Sequence, residues 1–191
     1  MDTRGELIAE ISRLTARERT PIAHSRGRGA VKQPEPDKLA ALIDMVGALE
    51  TAGVRCALIG GLAVGIHTTV PRATVDVNVA AHSAAGRQLA VEVLERAGFR
   101  KTGEFEHSVN FRHAGGEPVQ LAFDPAFDPM IMRAERIDVA GTSIAVVAKE
   151  DLIAMKQRAA ADPSRRKSKR LHDQADIELL LGDLPDPEEG W

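Results

Sequence analysis

The fold is decided by Leu58-Ile59-Gly60-Gly61-Leu62-Ala63-Val64, followed soon after by Arg72-Ala73-Thr74-Val75-Asp76-Val77-Asn78. The short apolar run that ends at Ile59 predicts a strand over 54–59, and the glycine pair predicts a turn. The residues after the turn predict a short helix through His67. β-branched residues over 74–80 predict a second strand. The chain is therefore expected to be a mixed α/β protein.

The second strand carries the first candidate site residues. Side chains alternate along a strand, so Asp76 and Asn78 are expected on one face, and the valines between and beside them on the core face. Two oxygen-bearing side chains at positions i and i+2 of one face can hold a divalent cation such as Mg²⁺ or Mn²⁺. Asp76 and Asn78 are therefore the candidate metal ligands.

The glycine pair adds a candidate phosphate site. Backbone N–H groups at Gly60 and Gly61, together with a helix N-terminus, can bind phosphate oxygens, and Arg72 and Thr74 can reach the same phosphates. With the metal ligands, these groups suit nucleotidyl transfer by metal-assisted in-line displacement. The alternative is that the glycine pair forms an ordinary turn before a helix.

The remaining patterns predict a core flanked by helices. Residues 1–36 are expected to form a helix and a flexible arm, and 37–148 a core with a partly antiparallel sheet. Residues 149–182 are expected to form a C-terminal helical segment and 183–191 an acidic tail. Within the core, Asp37 is expected to cap a helix, Ser83 to begin another that runs to Ala97, and Ala140-Gly141 to turn a hairpin. The predicted fold class is α/β (α+β), a mixed sheet flanked by helices.

Composition excludes several classes of protein. The 191 residues carry a net charge of −3, and aromatic residues make up 3% with no tyrosine. A basic protein that coats nucleic acid and an aromatic platform for single strands are therefore not expected. A lone cysteine, Cys56, suits a reducing cytoplasm, and no apolar run is long enough for a membrane span.

The motifs resemble those of a known superfamily. The stretch from Leu58 to Val79 resembles the signature of the nucleotidyltransferase superfamily with the DNA polymerase β-like fold: a glycine pair, a spacer and then acid-x-acid on a strand. Residues 147–156 resemble the helix that follows the core in the AbiEii/MenT-like toxins of type IV toxin–antitoxin systems. Asp173-Gln174-Ala175-Asp176-Ile177 resembles their late acidic segment. The similarity covers 37–181.

The resemblance implies an activity and a set of site residues. Gly61 would contact phosphate, Asp76 would bind metal, and Lys156 and Asp173 would line the nucleotide pocket. The implied reaction transfers a nucleoside monophosphate from an NTP to an acceptor. In characterised members the acceptor can be the 3′ end of tRNA, so tRNA and a cognate antitoxin are the implied partners.

Two positions depart from the family pattern. Asn78 stands where the second acid is expected, and Gln120 where many members place a third acid. Alternation would put Asp124 on the same face as Gln120, so Asp124 is the candidate replacement, and Asp128 could act from the loop. Three interpretations stay open: an active enzyme with rearranged acids, a naturally silent relative, or a deliberate Asp→Asn change at position 78.

A basic run precedes the last predicted helix. Arg165, Arg166, Lys167, Lys169 and Arg170 provide five cations within six residues. Such a run is usually a solvated helix entrance, but beside a nucleotide site it could bind an RNA backbone or a triphosphate. It is therefore a weak RNA-binding candidate.

Three functions compete. The first is a toxin-like nucleotidyltransferase that uses an NTP, Mg²⁺ and a tRNA acceptor. The second is a catalytically inactive nucleotide- or partner-binding relative, suggested by Asn78 and Gln120. The third is a small-molecule nucleotidyltransferase of the antibiotic-modifying kind.

Overall fold

The computed structural model of the chain describes residues 3–18 and 37–182. The helices of this part are α1 (Thr3–Glu18), α2 (Lys38–Thr51), α3 (Gly60–Thr68), α4 (Arg87–Arg96), α5 (Asp128–Met132), α6 (Lys149–Ala161) and α7 (Lys167–Leu181). The strands are β1 (Cys56–Ile59), β2 (Val77–Ala81), β3 (Arg100–Phe105), β4 (Ser108–Arg112), β5 (Pro118–Ala122), β6 (Glu135–Val139) and β7 (Thr142–Val146). The predicted flexible arm and acidic tail fall at 19–36 and 183–191, outside the described residues.

The strands form one mixed sheet, as the sequence predicted. Their order is β3-β4-β5-β2-β1-β7-β6. The central pair β1 and β2 is antiparallel, whereas β2 with β5 and β1 with β7 are parallel. The outer pairs are antiparallel hairpins. The mixed α/β class is therefore confirmed.

The central strands are covered because their apolar residues have helices to pack against. In β2, Val77 and Val79 are fully buried, and their neighbours Val119 and Leu121 in β5 are almost fully so. Leu42, Met45 and other apolar residues of α2 join the same core, as do residues of α1 and α4. The Asp37 carboxylate accepts hydrogen bonds from Leu39 N and Ala40 N, so it caps α2 as predicted.

The hairpin between β6 and β7 turns where the sequence indicated. Ala140 has φ 53° and Gly141 has φ 77°. Two consecutive residues with positive φ are the signature of the two-residue turn whose twist matches that of antiparallel strands. The predicted turn at these two residues is therefore confirmed.

Several element boundaries differ from the prediction, and β1 begins at Cys56 rather than at Val54. β2 begins at Val77 rather than Thr74, and Val75 is 58% exposed, so it does not share the core face with Val77 and Val79. Ser83 begins a short 3₁₀ turn (Ser83–Ala85) rather than a long helix. Gly86, at φ 77°, separates this turn from α4. The local backbone conformation, rather than the pattern of side chains, determines where β2 begins and where the turn at Ser83 ends.

No helix within residues 3–18 and 37–182 has the length and apolar character that crossing a membrane requires.

Candidate functional site

The predicted site residues meet at one end of the central strands. Because β1 is antiparallel to β2, the end of β1 lies beside the start of β2, and Ile59 pairs with Asn78. Because β1 is parallel to β7, α6 also begins at this end. The glycine pair after β1 and Asp76 before β2 are therefore neighbours, as the two motifs required.

The glycine pair packs against the segment that carries the candidate acid. Gly60 has φ 73°, and a Cβ placed on it would lie 3.1 Å from both Cβ and Nδ2 of Asn78. A Cβ on Gly61 would lie 2.7 Å from Thr74 Oγ1 and 2.7 Å from Arg72 Nη1. The approach at Gly61 is closer than real Cβ atoms show, whereas Gly60 is required mainly by its positive φ and leaves only a tight fit for a Cβ.

The same bend leaves a helix N-terminus without a side-chain cap. α3 starts at Gly60, and the apolar N-cap residue Ile59 makes no capping hydrogen bond. The first N–H groups of a helix carry a partial positive charge and suit an anionic ligand. This end of α3 can therefore receive a phosphate, provided that other groups complete the site.

Asp76 and Asn78 lie side by side at the start of β2. Asn78 Nδ2 donates a hydrogen bond of 2.9 Å to Asp76 Oδ1, and both residues are half-buried. Asp76 itself lies in a bend just before the strand. The bend is fixed through Thr74, whose carbonyl accepts a 3.1 Å hydrogen bond from Thr15 of α1. Thr74 is buried and its hydroxyl donates to Asp76 O at 3.4 Å, so that hydroxyl is used within the protein.

We call the turn at Gly60-Gly61 the glycine bend. A cluster of charged side chains connects this glycine bend to the C-terminal helices. We call Arg72, Lys156, Arg165, Asp173 and Asp176 the cation cluster. Lys156 Nζ lies 2.8 Å from Asp173 Oδ1 and 2.7 Å from Asp176 Oδ2. Arg165 Nη2 lies 3.0 Å from Asp173 Oδ2, and Arg72 Nε donates to Asp176 Oδ1. Both carboxylates are at least 95% buried.

The balance of charge in this cluster favours an anion. Three cations meet two carboxylates, and Arg72 Nη1 also borders the Gly61 backbone. Arg165 is 42% exposed, so its guanidinium is open to solvent as well as to Asp173. A partly exposed site with one surplus positive charge beside a helix N-terminus can bind a triphosphate.

Only one end of the predicted basic run belongs to this cluster. Arg166, Lys167 and Lys169 are exposed around the first turn of α7, and Arg170 is half-buried. Arg165 alone pairs with a carboxylate of the cluster. The others form the solvated helix entrance that charge runs usually form, beside the candidate site.

Asp124 and Asp128 do not lie at this end of the sheet, contrary to the prediction. β5 runs parallel to β2 with Asn78 opposite Gln120, so Asp124 lies level with His82, six residues beyond Asp76. That is about 20 Å along the strand. Asp124 instead caps a 3₁₀ turn by accepting from Ala126 N at 2.9 Å. Side-chain alternation predicted which face of β5 Asp124 would share with Gln120, but it could not predict at which end of β5 the site lies.

Asp128 serves the opposite end of the sheet in a similar way. Its Oδ1 accepts a 2.8 Å hydrogen bond from Ser83 N. Burial alone would raise the pKa of Asp128, but the hydrogen bonds from Ser83 and the nearby His82 lower it below its ordinary value. A carboxylate held ionised in this way is a weak base. Its role here is to hold the segment after β2.

The sheet carries a row of amides where acids were expected. Asn78 in β2 is in register with Gln120 in β5, which is in register with Asn110 in β4. Gln120 Nε2 donates to Asn110 Oδ1 at 3.1 Å. We call Asn78, Gln120 and Asn110 the amide row. Asn110 was missed because alternation marks it as an outward-facing polar residue, and only the strand register brings it to Gln120.

The donor set limits which metal this site can hold. Asp173 and Asp176 are held in ion pairs, which leaves Asp76 as the carboxylate available to a metal ion. No group of three or more His, Cys, Asp or Glu side chains in 3–18 and 37–182 is arranged to bind a metal ion. Mg²⁺ can be held by one carboxylate when substrate phosphates and waters supply the other oxygens. One ion that arrives on a triphosphate therefore fits Asp76. A second ion, which needs bridging carboxylates, does not fit.

The sequence did not predict the burial and ion pairing of Asp176, or of Lys38 with Glu117. Asp176, which the sequence offered only as part of the late acidic segment, is 1% exposed and pairs with both Arg72 and Lys156. Lys38 and Glu117 are each 1% exposed, and Lys38 Nζ also donates to Val75 O at 3.4 Å, next to Asp76. A charged residue in a sequence carries no signal of burial, so neither pairing could be read from spacing.

A groove of about 440 Å³ lies at the other end of β1. It is bordered by Cys56, Arg136 and Met132. Burial raises the pKa of the Cys56 thiol to about 12, so this cysteine stays protonated and is a poor nucleophile. The residues that border this groove include none of the motif residues.

Solved structures with the same fold are nucleotidyltransferases or their relatives. The antibiotic-resistance factor ANT(2'')-Ia matches with a TM-score of 0.56 and 16% identity, over 76% of this chain and 84% of its own. The lincosamide antibiotic adenylyltransferase LnuA matches with a TM-score of 0.54 and 14% identity, over 80% of this chain and 100% of its own. An antigenic nucleotidyltransferase-like protein from Paracoccidioides brasiliensis matches with a TM-score of 0.55 and 20% identity, over 80% of each chain. At these identities the likeness establishes the nucleotidyltransferase fold.

The sequence itself narrows this class to a family. The model of the nucleotidyl transferase AbiEii toxin family, type IV toxin–antitoxin system, matches residues 44–189. The chain therefore belongs to the AbiEii family, as its motifs indicated. No curated protein matches the chain.

Proposed function

We propose that this protein binds a nucleoside triphosphate at the glycine bend and transfers the nucleoside monophosphate to an acceptor hydroxyl. The observation that carries the proposal is the convergence of Gly60-Gly61, Asp76 and the cation cluster at one end of the sheet. These are an uncapped helix N-terminus, a metal-binding carboxylate and surplus positive charge. Each is matched to a different part of a magnesium triphosphate.

Each group has a role in this proposal. N–H groups at the start of α3 bind phosphate oxygens, with Arg72 and Lys156 as the neighbouring cations. Asp76 holds the one Mg²⁺ or Mn²⁺ that accompanies the nucleotide, and such an ion supplies charge stabilisation to the phosphates. Asp173 and Asp176 hold the cations in place through their ion pairs. Asn78 contacts Asp76 and fixes its orientation.

The reaction is a displacement at the α-phosphorus. The acceptor oxygen forms a bond to that phosphorus while the bond to the bridging oxygen breaks, and pyrophosphate leaves with the electron pair. The acceptor proton passes to solvent. We propose an RNA 3′ end, with tRNA first, as the acceptor, because exposed Arg166, Lys167 and Lys169 lie beside the cluster and could contact a phosphate backbone.

The toxin role follows from the family as a proposal. Transfer to tRNA would block translation, and an antitoxin would restrain it in the cytoplasm. Growth of a host that expresses the chain, with and without the protein encoded beside it, tests this role. Arrest that the neighbouring protein relieves supports it, and normal growth in both cases contradicts it.

A second candidate function is nucleotide binding without transfer. The amide row favours it, because neither Asn78 nor Gln120 can act as a base or as an anionic metal ligand. This candidate shares the same site and differs only in turnover.

One labelling experiment separates these candidates. The chain is incubated with α-labelled NTPs, Mg²⁺ and total tRNA, beside an Asp76→Asn variant and a mixture of small hydroxyl compounds. Label on tRNA that Asp76→Asn abolishes supports the proposal. Bound nucleotide without any label transfer supports the silent relative. Label on a small compound alone would point to an antibiotic-modifying enzyme, and no nucleotide binding contradicts every version.

A further inference from the structure

The amide row bears on how many metal ions the site can use. Asn78 and Gln120 are register partners on adjacent parallel strands, about 5 Å apart, and Asn110 is one strand farther. The row therefore runs outward from the glycine bend across three strands. In the proposed function, this row is the part of the site that remains for an acceptor, since the cation cluster is assigned to the triphosphate.

Hydrogen bonds already satisfy part of this row within the protein. Asn78 presents its Nδ2 to Asp76 Oδ1, and Gln120 presents its Nε2 to Asn110 Oδ1. An amide N–H₂ directed at a carboxylate is a proton donor in the position where a cation would lie. For Asn78 to ligate a metal beside Asp76, the amide would have to turn and lose this hydrogen bond.

No other carboxylate in 3–18 and 37–182 is placed to replace the missing ones. Asp124 and Asp128 lie at the far end of the parallel strands, where Asp124 caps its own 3₁₀ turn and Asp128 accepts a hydrogen bond from Ser83 N. Asp173 and Asp176 are buried and paired with the cations of the cluster.

Glu117, near Val75, is likewise buried and paired with Lys38. Among residues 3–18 and 37–182, Asp76 is therefore the one carboxylate beside the starts of β2 and β5 that is not held in an ion pair. Two divalent ions held close together need bridging carboxylates, which one residue does not provide.

We infer that this nucleotide site uses one divalent ion only, the ion carried by the triphosphate, and that its acceptor half is uncharged. The inference rests on the proposed nucleotide binding. In this inference the amide row has one specific effect: it lacks the carboxylates that would hold a second ion to activate the acceptor. Acceptor binding at the row then depends on neutral hydrogen bonds, and transfer is slow relative to nucleotide binding.

The test counts metal ions on the full chain. Mn²⁺ replaces Mg²⁺, and free Mn²⁺ is measured by electron paramagnetic resonance in the presence of a saturating non-hydrolysable ATP analogue. Dialysis of the same sample gives the bound nucleotide. We expect one ion per bound nucleotide in the unchanged chain and two in the Asn78→Asp/Gln120→Asp double variant. Asn110→Asp is the control for a single added carboxylate. It adds one negative charge, one strand farther from Asp76 than Gln120 is, and should keep one ion.

The outcomes separate this inference from the proposed function. Two ions per bound nucleotide in the unchanged chain would overturn the inference and leave nucleotide binding intact. A double variant that folds, as judged by circular dichroism, but still binds one ion would also overturn it. Absence of bound nucleotide would overturn the proposed function and the inference together. The count on the unchanged chain needs no variant, so a folding failure of the double variant does not decide the result.

Discussion

The two halves of the candidate site differ in charge. At the glycine bend, buried carboxylates and three cations form one connected cluster. Across β2, β5 and β4, the corresponding residues are neutral amides. The first half is built by a loop, a helix N-terminus and the C-terminal helices, and the second by strand register. In the proposed function, phosphate and acceptor would therefore be bound by different elements, so we expect that one can be altered without the other.

The sharpest test of this contrast is the stability of the charged half. Asp176→Ala removes a 1%-exposed carboxylate that pairs with Arg72 and Lys156. Removing one partner of a buried ion pair costs up to about 3–5 kcal/mol of unfolding free energy, because Arg72 and Lys156, only 20% and 14% exposed, lose a counter-charge that solvent does not fully replace. Urea denaturation measures the change. Glu178→Ala, an exposed acid on the same helix, is the control and should stay within about 0.5 kcal/mol. A loss below about 1 kcal/mol for Asp176→Ala would show that the cluster is not coupled as described.

The next largest effect is expected at the glycine bend. In Gly61→Val, the new Cβ would lie 2.8 Å from Thr74 Cβ. Thr74 cannot easily move away, because its carbonyl accepts a hydrogen bond from Thr15 of α1. Overpacking of this kind costs about 1–3 kcal/mol and displaces the bend from Asp76. Calorimetric titration with ATP should show at least a tenfold weaker Kd.

Gly47→Ala is the control for Gly61→Val. No heavy atom lies within 4 Å of a Cβ at this position in α2. Replacing a helical glycine by alanine should raise stability by about 0.5–1 kcal/mol and leave the nucleotide Kd unchanged. Equal nucleotide affinity of Gly61→Val and Gly47→Ala would show that the glycine bend does not bind the nucleotide.

A smaller effect is expected at the outer cation. Arg165→Met removes a 42%-exposed guanidinium that contacts Asp173. A charge-assisted contact of this exposure is worth about 1 kcal/mol or less, so the triphosphate Kd should rise about three- to fivefold at low salt. Arg166→Met, the exposed neighbour in the basic run, should change it less than twofold. Equal effects would indicate a diffuse basic surface rather than a cluster.

The smallest effect is expected in the amide row. Asn110→Ala breaks one hydrogen bond between half-buried side chains, which is worth about 1 kcal/mol. Thermal unfolding should show a modest decrease, and the ATP Kd should change less than twofold because no charge is lost. A large loss of nucleotide affinity would show that the amide row helps to bind the triphosphate, and that the two halves of the site do not differ as described.

Local patterns predicted the fold better than the site. The glycine pair, the Asp37 cap and the Ala140-Gly141 turn each follow from backbone requirements of single residues, and each is present. The meeting of the glycine pair with Asp76 followed from motif spacing that matched a known family. Asp124 was wrongly placed because alternation defines a face but not the direction in which a strand is inserted.

The remaining site features depend on contacts between distant parts of the chain. Asn110 reaches Gln120 only through the pairing of β4 with β5, and Asp176 reaches Arg72 across 104 residues. Burial of Lys38 with Glu117 likewise arises from packing of α2 against the start of β5. Sequence spacing contains none of these distances. Register and long-range ion pairs are properties of the folded chain.

Binding of a nucleoside triphosphate where the glycine bend meets Asp76 can be observed by a nuclear magnetic resonance titration. The ¹⁵N-labelled chain is titrated with a non-hydrolysable ATP analogue and Mg²⁺. We expect saturable shifts of the Gly60, Gly61 and Asp76 amides with one common Kd, and little change at Cys56 and Arg136. Shifts confined to the groove around Arg136, or no shift at any concentration, would rule out binding at the glycine bend.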